Sequence, residues 1–95
     1  MAIWKITISA PTGAFNATLE INEDLPKATG EMRAKNGSGP MQDLFFHSDT
    51  IAWKTKIERP MPMKLAFKGS HGDGKMSGTV KFGIFASGTF AGTKQ

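Results

Sequence analysis

Ninety-five residues carrying a net charge of +4 are enough for one small domain, taken as residues 1–95, and leave no room for a second. The chain has no cysteine, which excludes disulfides and thiolate chemistry, and His47 and His71 alone could not hold zinc without carboxylates doing most of the ligation, so no metal and no other cofactor is expected. The basic residues are spread from Lys5 to Lys94, a distribution that suits a solvated outer face better than a nucleic-acid footprint.

From Ile3 to Ser9 apolar and polar residues alternate strictly, with Trp4, Ile6 and Ile8 against Lys5, Thr7 and Ser9, the pattern of a half-buried strand. Ala10-Pro11-Thr12-Gly13 suits a type I turn, and Phe15 to Asn22 returns with Phe15, Ala17, Leu19 and Ile21 on one face. Residues 22–36 admit two readings. Asn22 could cap a helix with Leu25, Ala28 and Met32 on one side, but Gly30 would sit in its middle at a cost of about 1 kcal/mol, so a strand over Lys27 to Lys35 is preferred.

Asn36-Gly37-Ser38-Gly39-Pro40 reads as a loop, followed by a strand from Met41 to His47. Its facing stays open: either Leu44 and Phe46 point inward, or Asp43, Phe45 and His47 do. After a Ser48-Asp49 turn, Thr50 to Glu58 places Ile51, Trp53, Thr55 and Ile57 inward and its lysines outward. Pro60 and Pro62 cannot donate to a ladder and predict a bend over Arg59 to Pro62, beyond which Met63, Leu65 and Phe67 keep the inward parity of Met61. Ser70-His71-Gly72-Asp73-Gly74 is a turn cluster, and the strands Lys75 to Gly83 and Phe85 to Thr93 complete the chain.

The chain also repeats itself. Trp4, Lys5, Ile8 and Pro11 recur with identical spacing as Trp53, Lys54, Ile57 and Pro60. Thr18 to Ile21 answers Lys64 to Phe67, and Ala28 to Arg33 answers Met76 to Lys81. The expected fold is therefore all-β: an eight-stranded antiparallel meander closing into a small barrel, with an approximate two-fold repeat of halves at roughly 1–48 and 50–95. Closure removes the exposed edges that an open sheet of this size would carry.

A Trp near the start of the first strand, x-Gly dipeptides inside later strands, Gly-Asp turns and the closing strand Gly88-Thr89-Phe90-Ala91-Gly92-Thr93 resemble the small up-and-down barrels of the avidin and lipocalin superfamily, the calycins. The chain is also similar to short bacterial barrel domains with the same Trp, Pro-Met-Pro and Gly-Asp punctuation. Neither the lipocalin Gly-x-Trp nor the biotin-contacting residues of avidins has a counterpart, so biotin binding is not implied. What the resemblance implies is a barrel whose lumen could hold one apolar ligand.

Inward small residues (Ala17, Ala28, Gly30, Ala34, Gly78, Ala86, Gly88) alternating with large aromatic ones predict a cavity in that lumen. The residues expected to line it are Trp4, Trp53, Met32, Met61, Met63, Phe67, Phe82 and Phe90, with ordinary core packing as the competing role for each. The partner so read is a small apolar or aromatic molecule. A second reading is an enzyme of the isomerase, cyclase or hydratase type, using Asp43 or His47 as acid or base on an apolar substrate. The two share a strand face but stand about 13 Å apart at ~3.3 Å per residue, too far for a direct hydrogen bond. A third reading is a structural or protein-interaction domain with a filled barrel. Phe45 and Phe46 cannot both face inward, so an outer aromatic points to a homodimer. Without a signal peptide or long apolar segment the expected location is the cytoplasm, with no membrane partner and no nucleic acid.

Overall fold

The computed structural model describes residues 2–11, 13–23, 27–35, 37–58, 62–84 and 86–95. They form the strands β1 (Ala2–Ala10), β2 (Gly13–Asn22), β3 (Thr29–Ala34), β4 (Gly37–Pro40), β5 (Gln42–His47), β6 (Thr50–Ile57), β7 (Met63–Gly72), β8 (Lys75–Phe82) and β9 (Ala86–Lys94). All pairings are antiparallel, in the order β4-β3-β2-β1-β9-β8-β7-β6-β5. The two strands at the ends of that order are consecutive in the chain, joined through Met41, so the sheet curls round into a nearly closed barrel 34 Å long and 21 Å across. Among the described residues no helix is long and apolar enough to cross a membrane.

The meander is the expected one, with nine strands where eight were expected. The extra strand is Gly37–Pro40, whose Gly-Ser-Gly-Pro composition predicts a loop. Here glycine answers a close approach. Gly37 has a φ of 147°, and a Cβ on it would lie 3.0 Å from the Glu58 amide nitrogen at the end of β6. Beyond it the Met41 amide donates to the Gly30 carbonyl at 2.8 Å, and the chain passes from pairing with β3 to pairing with β6. The turn cluster at residues 70–74 is likewise tighter than expected. Ser70, His71 and Gly72 stay in β7, and Asp73 (φ 53°) and Gly74 (φ 74°) alone form the two-residue turn. Where the sequence admits a strand or a helix, Thr29–Ala34 form the strand, while Leu25 and Pro26 at the start of the alternative helix lie outside the described residues. Arg59, Pro60 and Met61, where the bend is expected, lie outside the described residues.

The internal repeat is visible in the pairing register. Across the first half one row of opposed residues reads Trp4, Leu19, Met32, Gly39, and across the second Trp53, Phe67, Val80, Gly88. The next row reads Ile6, Ala17, Ala34, Gly37 against Thr55, Leu65, Phe82, Ala86. Trp4 and Trp53 are equivalent and inward, each only 2% exposed. One sequence match shifts: Leu19 corresponds to Phe67, not to Leu65, because the cross-strand partners set the alignment and both neighbouring strands agree on it.

Candidate functional site

The predicted lumen residues lie in the core. Trp4, Met32, Trp53, Phe67, Phe82 and Phe90 are buried, Met63 is half-buried, and Met61 lies outside the described residues. Trp53 stacks on Phe67 with ring centroids 4.2 Å apart and planes 7° from parallel, and Phe90 meets both edge-on at 5.5 Å. This is the geometry that aromatic quadrupoles favour, and it fills the middle of the second half. Gly78, one of the inward small residues, meets main chain at close range. Gly69 and Gly78 face each other across β7 and β8, and a Cβ on either would fall within the backbone of the opposing strand. A side chain at either position would therefore force β7 and β8 apart.

Among the described residues Thr55 is the only polar residue classed as fully buried; its hydroxyl donates to the Pro40 carbonyl at 3.4 Å. Asp43 and His47 are exposed. The facing left open by the sequence is settled by a bulge between Gln42 and Phe45, where Asp43 takes a φ of 52°. Leu44 is thereby buried and Phe46 half-buried, while Phe45, 51% exposed, stacks on the His47 ring at 5.9 Å. The acid/base pair therefore stands outside the barrel.

Among the described residues four buried side-chain atoms have no hydrogen-bond partner: Trp4 Nε1, Trp53 Nε1, Glu23 Oε2 and His71 Nε2. They form two equivalent pairs under the internal repeat, since Glu23 and His71 sit at the same remove from the matched Leu19 and Phe67. Both lie toward one end of the barrel. Lys94 stands 3.7 Å from Glu23 Oε2 as an ion pair and 5.9 Å over the Trp4 ring, while His71 stacks on Phe46 at 4.1 Å. Sequence reading missed Glu23 and left His71 in a turn. Extending the β7 parity Phe67, Gly69, His71 would have placed the imidazole on the inner side.

The outer face of β7, β8, β9 and β1 carries a hollow of about 590 Å³. Its floor is a row of small outward residues, Ser70, Ser77, Ala91 and Thr7, directly opposed from strand to strand. Beside it runs a second row, Gly72, Lys75, Thr93 and Lys5. The equivalent position in the first half holds a hollow of about 300 Å³ lined by Glu20, Asn22, Thr29, Gly30 and Glu31. Asn22 there matches Ser70, Thr29 matches Ser77, Glu20 matches Lys68 and Glu31 matches Thr79. Glu20 and Glu31 face each other in register, and Arg33 binds both carboxylates, that of Glu31 at 3.1 Å through Nε. Such like-charge pairs need a bridging cation to be tolerated. A third hollow of about 380 Å³ lies along β1 and β2.

Among the described residues no three His, Asp or Glu side chains come together to hold a metal ion. No protein-family model, curated protein or solved structure matches the chain.

Proposed function

We propose that the protein is a non-catalytic binding module with a filled barrel that engages its ligand on the outer surface, beside the β7–β8 hairpin. The observation that carries this reading is the contrast between the stacked Trp53, Phe67 and Phe90 inside and the roomy hollow outside. The enzyme reading has less support, because Asp43 and His47, the acid and base it calls on, are both exposed. The up-and-down meander is compatible with the barrel that the resemblance to calycins implies.

A lumen that takes a small apolar molecule is the second reading, and one observation favours it. The indole N–H groups of Trp4 and Trp53 are buried at equivalent places without an acceptor, at a cost of about 1–3 kcal/mol each unless something bound inside supplies one. Titration of a hydrophobic ligand panel against the intrinsic fluorescence of Trp4 and Trp53 separates the two. Surface binding predicts no saturable change, and saturable quenching by any member would transfer the function to the lumen.

The module also self-associates as a dimer through the outer aromatic patch of Phe45 and His47 on β5. Support comes from the 51% exposure of Phe45 and from the bulge that turns it outward. Sedimentation equilibrium at micromolar concentration should give twice the 10.3 kDa chain mass, and Phe45→Ser should return it to one. A wild-type monomer would end this part of the proposal.

A further inference from the structure

We infer that the 590 Å³ hollow is an anion site that accepts a small phosphate-bearing ligand. This deepens the surface-binding reading and rests on it. The volume falls within the roughly 300–1,000 Å³ usual for small-molecule sites.

The chemistry of the lining carries the inference. Ser70, Ser77 and Thr93 bring hydroxyls and Lys75 an ammonium, the Thr7 hydroxyl at the edge donates to Asn16 Oδ1 at 2.9 Å, and no carboxylate or side-chain amide lines the hollow. Asp73 sits at the hairpin tip, outside the lining. A neutral polyol is held best where acceptors and donors alternate. A lining in which Ser70, Ser77, Thr93 and Lys75 can all donate suits a ligand with several acceptor oxygens and negative charge. Lys75 and Lys5 both stand directly opposite Thr93 in register, one on each neighbouring strand, and neither has an acid as a cross-strand partner.

The matching hollow of the first half sharpens the argument: Lys27 there stands at the position of Lys75, but two carboxylates line the hollow and Lys27 does not. Glu20 and Glu31 occupy the places of Lys68 and Thr79, and the nearby Arg33 is already committed to both carboxylates. Anion binding should therefore be confined to one half, and the other serves as a control within the same molecule.

The test is a titration of the uniformly nitrogen-15-labelled protein followed by amide NMR at constant ionic strength, with inorganic phosphate in one arm and glucose 6-phosphate in a second. Saturable shifts are expected at Ser70, His71, Lys75, Ser77 and Thr93, with none at Thr29 or Glu31. Lys75→Gln should weaken binding about tenfold, the loss of one charge-assisted hydrogen bond, with the rest of the spectrum unchanged. Lys54→Gln, which removes the same charge from the outer face of β6, should leave it intact. A third arm, co-sedimentation with phosphatidylcholine vesicles with and without phosphatidic acid, identifies the source. Binding there alone, lost in Lys75→Gln, would assign the phosphate to a lipid headgroup. Shifts scattered over the lysines, equal losses in the two variants, or no response in any arm would overturn the inference. Failure here with silent tryptophan fluorescence would leave surface binding standing with a different ligand, whereas saturable quenching by an apolar ligand would remove that reading itself.

Discussion

The two halves of the barrel share a backbone plan and fill it differently. Both rows that begin with Trp end on Gly, but the first runs through Leu19 and Met32 and the second through Phe67 and Val80. In the row beside it Ala17 and Ala34 stand where the second half has Leu65 and Phe82. Small side chains in one half thus match large ones in the other, a difference that a close-packed interior can absorb. What the halves hold in common is the placement of Trp and Gly. The identity of the remaining inward residues is adjustable as long as the total volume is kept. The outer faces are under no such constraint, and there the halves differ even in sign of charge.

The comparison can be broken most forcefully at the matched tryptophans. Removing either indole should cost about 3–5 kcal/mol, a large part of the roughly 5–15 kcal/mol that holds a domain of this kind together. Trp53→Ala should exceed Trp4→Ala by about 1 kcal/mol, since Trp53 loses a stacked and an edge-on aromatic partner while Trp4 has Lys94 over its ring. Urea unfolding followed by circular dichroism, with Trp→Phe variants as the milder pair, measures the difference; an equal or greater loss at Trp4 would show that the aromatic cluster adds nothing.

A smaller effect is expected at the matched glycines. A Cβ at position 78 meets only main chain, namely the Lys68 carbonyl and the Gly69 Cα, whereas at position 30 its nearest neighbour is the flexible Met41 thioether, at 2.7 Å, with the Glu20 carbonyl behind it at 2.8 Å. Gly78→Ala should therefore cost about 1–3 kcal/mol, and Gly30→Ala visibly less, read from the same denaturation curves. The reverse order would mean that the close approach of β7 and β8 is not what glycine is there to permit.

The fold was legible because inward and outward residues alternate in nearly every strand and because Trp, Lys, Ile and Pro return at the same spacing. Those signals are local. Gly37–Pro40 was not legible as a strand, since its reason for being extended is the nearness of Ile57 and Glu58, residues distant in the chain. The facing of Asp43 and His47 was open for a related reason: a bulge inserts one residue and reverses parity, and nothing in the run Gln42 to His47 announces it. Small inward residues were read as empty space, yet composition does not distinguish a cavity from a main chain drawn close. The charge contrast between the two outer hollows becomes visible only after residues from separate strands are set side by side by the register.

The seams that join the halves carry a consequence for how the chain assembles. One, between β5 and β6, is bridged by the turn at Ser48 and Asp49, while the other, between β1 and β9, brings together Trp4 and Lys94 from opposite ends of the sequence. Loop-closure entropy grows by about 0.6 kcal/mol for each doubling of the enclosed chain, so the distant seam costs on the order of 3 kcal/mol more to close than the near one when neither has help from the strands between. Two similar halves thus meet along a cheap boundary and an expensive one. The β1–β9 seam becomes affordable only after the intervening hairpins have shortened the effective loop, which gives a nearly symmetric barrel a directional order of assembly.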